Sequence, residues 1–169
     1  TRFTAHVITA KLRREGCPAI VKVVDQDASL KLGPFSVQWL PITHSTAETS
    51  ALLIDTAVGS ILHTAAWKVD HQPVVGRPFE DQCWQELGTR TIDAIVCDST
   101  NATETGRSLS ESDLLRLQHA IAEAPSRVVV ACFASNIARL QTIGNAAAAS
   151  GRYLAILGRS LIDMVASAK

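Results

Sequence analysis

The chain has no excess of either charge: 16 Lys and Arg balance 16 Asp and Glu, for a formal net charge of zero. No overall field therefore draws it to nucleic acid or to an anionic membrane, and any RNA binding has to be local or supplied by other parts of the protein. No apolar run approaches 18 residues, which excludes a helical membrane span. The start, Thr1-Arg2-Phe3-Thr4, is neither a signal peptide nor a natural initiator. The four cysteines, Cys17, Cys83, Cys97 and Cys132, form no CxxC, and two of them lie in apolar strand-like runs. Free, buried thiols are the expectation, and they suit a reducing cytoplasm. GxSxG, the P-loop and GxGxxG are absent, which removes the common signatures of an α/β-hydrolase, a P-loop NTPase and a dinucleotide fold. There is no internal repeat, and no low-complexity stretch beyond residues 146–149.

What is present is ample apolar material, 47% of 169 residues, enough for one domain or parts of two. Strand-like and helix-like stretches alternate. Residues 4–14 carry apolar side chains at helical spacing and stop at Gly16-Cys17-Pro18. Residues 20–24 form a β-branched run. Residues 35–42 alternate, with Phe35, Val37 and Trp39 facing one way. Residues 51–55 and 59–63 read as a hairpin closed by Gly59. A polar loop follows over 68–79, and then a short helix over 80–87. Residues 92–97 read as a strand buried on both faces.

Beyond a polar loop over 101–110 the character changes. Ser110 with Asp113 resembles a capping box, and a helix follows with Leu114, Leu117, Ile121 and Ala124 on one face. Residues 127–133 read as a strand, and Ser135 is expected to cap an Ala-rich helix that Gly151 stops. Residues 153–157 read as another strand, and a final helix follows Gly158-Arg159-Ser160. Helix and strand in alternation predict a parallel sheet with right-handed crossovers in this half. The front half is richer in strands and hairpins, and the boundary falls near 102–110. The last helix runs to Lys169. With the unusual start, this gives the expectation of an excised or truncated fragment.

Several residues could carry chemistry. His44 follows a strand end and could ligate a metal in a cleft, or be a satisfied structural histidine. His63 ends the hairpin. Asp98 ends a buried strand, where open α/β sheets place functional groups, or it accepts hydrogen bonds from its own loop. Ser135-Asn136 and Arg159-Ser160 each pair a strand end with a helix start. Such places favour phosphate through backbone N–H groups and, at Arg159, a fixed charge, or the serines are ordinary caps.

Taken in order, Thr43-His44-Ser45, residues 63–68, residues 73–78, Cys97-Asp98-Ser99-Thr100-Asn101-Ala102, Phe133-Ala134-Ser135-Asn136 and Gly158-Arg159-Ser160 resemble the ribonuclease J family. That family shows THS, HTGDWK or HTGDFK, a stretch near PVDGRP, CDSTNA, FASN and GRS. The resemblance covers nearly the whole chain. It implies an α/β architecture, with residues 1–105 as the later part of a metallo-β-lactamase αββα sandwich segment. Residues 106–169 would then begin an inserted β-CASP domain with a parallel sheet.

The resemblance also implies roles. The family is a cytoplasmic, zinc-dependent hydrolase of RNA that degrades messenger RNA. Two zinc ions lower the pKa of a bound water, and the hydroxide attacks a phosphodiester in line. His44 matches a ligand of one zinc, and Ala66 falls where an aspartate bridges both. Asp98 matches an acidic residue that positions a catalytic histidine. Ser135, Asn136, Arg159 and Ser160 would line the RNA path. The family's HxHxDH cluster would lie before Thr1 and two further histidines after Lys169. Alanine offers no lone pair, so no bridge forms at position 66, and two close cations without a shared anion repel. The expectation is a chain that binds no zinc properly and is inactive alone. The alternative is a catalytically dead RNA-binding or scaffold paralogue. Ala65-Ala66 fits natural decay and deliberate mutation alike. Members of the family pair as dimers or tetramers, so the intact protein is expected to be a homo-oligomer.

Overall fold

In a computed structural model, which describes residues 1–168, five strands form one mixed sheet. The strands are β1 (Ser29–Leu32), β2 (Phe35–Pro41), β3 (Ser50–Thr56), β4 (Gly59–His63) and β5 (Ala94–Val96), in spatial order β1-β2-β3-β4-β5. Neighbours are antiparallel up to β4, and β5 joins β4 in parallel. The expected hairpin is present as β3 and β4. Gly59 is obligatory there: its φ is +153°, and a Cβ would stand 2.7 Å from Asp93 Oδ2. The same carboxylate accepts the Ser60 N–H at 2.7 Å, which hooks the hairpin to the start of β5.

Register places Leu40, Ile42, Ala51, Leu53 and Leu62 in one buried cluster, closed by Leu87 of helix α2 (Asp81–Leu87). The core face of β2 therefore carries Leu40 and Ile42. The expected face of Phe35, Val37 and Trp39 is the other one, where Phe35 remains 46% exposed and Val37 is buried. Alternation in a strand fixes the two sets of side chains but not which set meets the core. The expected strand at 92–97 is short and exposed throughout. It is an edge strand with one partner, so its apolar residues do not mark burial on both faces. The β-branched run at 20–24 forms no strand, and Ile20 is almost fully exposed.

Helix α1 (Arg2–Arg14) ends in a left-handed turn at Gly16 (φ 66°), with Gly16 N–H on Arg13 C=O at 3.2 Å and Cys17 N–H on Leu12 C=O at 2.9 Å. This double bond satisfies the last carbonyls of the helix. At its other end the Glu48 carboxylate accepts the Phe3 N–H at 2.8 Å, satisfying an orphan donor from 45 residues away.

After a 3₁₀ turn at Glu111–Asp113, the second half consists of α3 (Leu115–Glu123), α4 (Ile137–Ala149) and α5 (Arg159–Ala168). Lys169 lies outside the described residues. Ser110 and Asp113 do form the capping box, but it closes the 3₁₀ turn, with α3 starting two residues later. The expected strands at 127–133 and 153–157, and with them a parallel sheet in this half, do not form. Among the described residues the sheet of β1 to β5 is the sole one. The two segments run along an apolar groove of about 530 Å³ over α4, lined by Val128, Val130, Leu140, Ile143, Leu154 and Ile156. Arg152 holds their starts together, donating to the carbonyls of Ser126 at 2.8 Å and Ala124. Val129, Phe133, Tyr153 and Leu157 are more than four-fifths exposed. An apolar run records a tendency to be buried. A strand also needs a ladder partner, and an isolated pair is marginal.

Candidate functional site

β2 and β4 are each antiparallel to β3, so they run in the same direction, and β5 runs parallel to β4. The C-terminal ends of β2, β4 and β5 therefore lie on one edge of the sheet. Thr43-His44, the segment 63–68 and Asp98 leave from these ends. With strands about 4.8 Å apart, the three loops start within about 15 Å of one another.

Buried threonines fasten the loops. Thr43 C=O accepts the Lys68 N–H at 3.0 Å, and the Thr43 hydroxyl donates to Lys68 C=O and accepts the Asp70 N–H at 3.0 Å. Thr64 N–H donates to Val96 C=O at 2.9 Å, and its hydroxyl accepts the Asp98 N–H at 3.3 Å. Sequence reading missed both residues. A threonine adjoining a histidine at a strand end was the available signal.

His44 is half-buried. Its Nδ1 accepts the Thr46 N–H at 3.2 Å. Burial, then the positive Lys68, push its pKa below the ordinary histidine value, while Asp98 pulls the other way. With Nδ1 accepting, the neutral ring carries its proton on Nε2. Asp98 is exposed, and its Oδ1 accepts the Thr100 hydroxyl at 2.7 Å and the Thr100 N–H at 3.0 Å. Those bonds, with a smaller pull from His44, hold its carboxyl below the usual range. His44 and Asp98 follow the C-terminal ends of β2 and β5 on the same edge of the sheet, which is how the fold places these two expected site residues. Ala66 is exposed, in the loop that carries Lys68. Ala65 before it has φ +55°, a left-handed conformation that glycine tolerates and alanine does not favour. Its N–H donates to His63 Nδ1 at 3.1 Å.

The start of α4 closes the edge from the second half. The Ala138 N–H donates to Ser45 C=O at 3.2 Å, and the Thr46 hydroxyl to Ser135 C=O at 3.2 Å. The cap of α4 is Asn136, whose Oδ1 accepts the Arg139 N–H at 2.8 Å. Ser135, the expected cap, stands one residue too early: in that position its side chain cannot reach the third helical N–H. Arg159 and Ser160 are exposed at the start of α5. No hydrogen bond among the described residues joins them to Ser135 or Asn136.

Two ion pairs brace the arrangement from behind. Asp70, 4% exposed, accepts from Lys68 at 2.9 Å and from the Ser110 hydroxyl at 3.0 Å. Burial raises its pKa, but the bonds from Lys68, Ser110 and Gln72 outweigh burial and leave it below the ordinary value. The buried Glu111 pairs with Arg139 on α4. Nothing in residues 28 positions apart signalled that pair. Contrary to the expectation of buried thiols, Cys17 and Cys97 are exposed and Cys83 and Cys132 half-buried; all four are free.

Among the described residues no three His, Cys, Asp or Glu side chains stand together to hold a metal. Ala66 brings a methyl group to the position where the resemblance expects a carboxylate.

Residues 125–169 match the sequence family described as the ribonuclease J β-CASP domain. The chain is 35% identical over 166 residues to a ribonuclease J from Sinorhizobium meliloti, and 37% identical over 163 residues to one from Mycobacterium tuberculosis. Each match covers 96% of this chain and 29% of the relative, so the chain spans less than a third of their length. A crystal structure of a protein of unknown function from Enterococcus faecalis superposes with a TM-score of 0.65 at 16% identity. It covers 98% of this chain and 41% of that one, a likeness of fold. No helix among the described residues is long and apolar enough to cross a membrane. On these matches the chain is similar to a segment of ribonuclease J over nearly all of its length, and to that family's β-CASP domain from residue 125.

Proposed function

We propose that the chain is part of an RNA-processing phosphodiesterase of the ribonuclease J kind, and that it does not hydrolyse RNA by itself. One observation carries the reading. His44 and Asp98 follow strand ends on a single sheet edge, and the start of α4 is hydrogen-bonded to Ser45 and Thr46 there, in a chain similar over 96% of its length to a protein named ribonuclease J. Residues 1–105 are read as a metallo-β-lactamase segment and residues 106–169 as the beginning of β-CASP. The chain's own groups provide an RNA-facing rim. Asn136 spends Oδ1 on capping and keeps its amide N–H groups for phosphate, and Arg159 offers a guanidinium to solvent. Asp98 is held ionised by Thr100, so it can orient an imidazole that approaches the cleft. No zinc is assigned to these residues. The zinc dependence of the family stays with ligands outside this chain, as does the pairing of the intact protein into a homo-oligomer. Four free thiols favour a cytoplasmic setting.

A second reading, a catalytically dead RNA-binding or scaffold paralogue, is favoured by the methyl group of Ala66. The test is Ala66→Asp in the intact gene product, with bound zinc measured by elemental analysis. A rise in zinc is expected, since the new carboxylate would stand beside the His44 loop. Unchanged zinc would remove the assignment of that position. The purified 169-residue chain is expected to leave single-stranded RNA intact with or without added zinc, and zinc-dependent cleavage would overturn its inactivity.

A further inference from the structure

Next to the candidate site lies a row of aromatic rings, buried in the middle and exposed at both ends. The rings of Trp84 and Phe79 lie 5.7 Å apart at 17°, those of Trp67 and Trp84 lie 6.4 Å apart at 15°, and His71 meets Phe79 edge-on. Phe79 is 9% exposed and Trp84 half-buried, while the two ends of the row, Trp67 and His71, are exposed; Trp67 is the end carried by the loop of the candidate site. It sits between Ala66 and Lys68, and Lys68 is bonded through its backbone to Thr43, beside His44. We propose that Trp67 is a stacking platform for an unpaired base of single-stranded RNA, a proposal that rests on the RNA reading above.

Two physical arguments support it. The ring is pre-organised: the Thr43–Lys68 bonds pin its loop and Trp84 backs it, so little side-chain freedom remains to be lost on binding. A base has a π-face whatever its identity, so a fixed indole accepts any of the four, and stacking of this kind is a main source of affinity for single strands. The chain's zero net charge gives stacking more weight here, because no general phosphate attraction competes with it. If Trp67 were only a cover for Trp84, an aliphatic side chain of similar size would serve equally well.

The test is fluorescence anisotropy of the 169-residue chain with a labelled oligoadenylate, and with a ribose-phosphate strand of equal length lacking bases. Trp67→Leu is expected to weaken oligoadenylate binding on the order of tenfold, while Trp67→Tyr retains most of it. The base-free strand is expected to bind the parent chain weakly and to be indifferent to both substitutions. Oligoadenylate bound equally by the parent and Trp67→Leu overturns the platform and leaves the RNA reading standing. Equal losses on both strands do the same. Failure of oligoadenylate to bind the parent overturns the RNA reading and the platform together. Should Trp67→Leu fail to fold, the parent alone decides, because equal affinity for the two strands refutes stacking.

Discussion

Ala65 shows how one residue can record the demands of its site. Its φ of +55° is imposed by the turn between β4 and the Lys68 loop, which must return to Thr43. Alanine in this region carries a steric penalty of roughly 1 kcal/mol that glycine escapes. Ala65→Gly is therefore expected to raise stability by up to about 1 kcal/mol, although glycine is more flexible in the unfolded chain. Urea unfolding of the two chains measures this, and a clear loss of stability would show that the loop does not hold the left-handed turn. The family resemblance was the signal, because it places glycine at this position. Composition and periodicity carried no trace of it. His44 and Asp98 were legible for a similar reason, since a strand end followed by a polar loop is visible in sequence. The lowered pKa of His44 was not, because it depends on burial and on Lys68, 24 positions away.

At the scale of elements, helices were easier to read than strands. The stop of α1 at Gly16 and the hairpin at Gly59 are local events, set by backbone angles only glycine adopts readily, and local events are written in local sequence. The segments at 127–133 and 153–157 have the composition of strands, but their state depends on partners far along the chain. The cap of α4 is an intermediate case. Ser135 and Asn136 are both good capping residues, and composition does not choose between them. The structure chooses Asn136, through its bond to the Arg139 N–H. Asn136→Ala is expected to cost about 1 kcal/mol, whereas Ser135→Ala should be close to neutral, since Ser135 meets the Thr46 hydroxyl through its backbone carbonyl alone. Thermal unfolding of both variants decides, and the reverse order would return the cap to Ser135.

For the whole molecule the question is what makes the sheet half and the helical half act as one body. The Ser45–Ala138 and Thr46–Ser135 bonds join them at the site, and the Asp70 carboxylate joins them behind it through Ser110. Asp70 is the one buried charge among these groups, so its loss should be felt most. Asp70→Asn leaves Lys68 without its anion and is expected to destabilise the chain at pH 7 by about 2 kcal/mol or more. The pH dependence follows from the direction of its shift. The folded carboxyl releases its proton more readily than the unfolded one. Above the ordinary aspartate value, about 3.9, both forms are ionised and the stabilisation is complete. As the pH falls through that value the unfolded chain takes up its proton first, and the stabilisation fades until the folded group is protonated as well. The difference between parent and Asp70→Asn should therefore be largest near neutrality and shrink below about pH 4. Urea unfolding at the two pH values reads it, and a difference independent of pH would mean that Asp70 acts through packing and not through charge. The exposed loop between the halves gives a second readout. Trypsin at pH 8 should cleave after Arg107 faster in the variant than in the parent, because release of Ser110 frees the segment that Asp70 holds down.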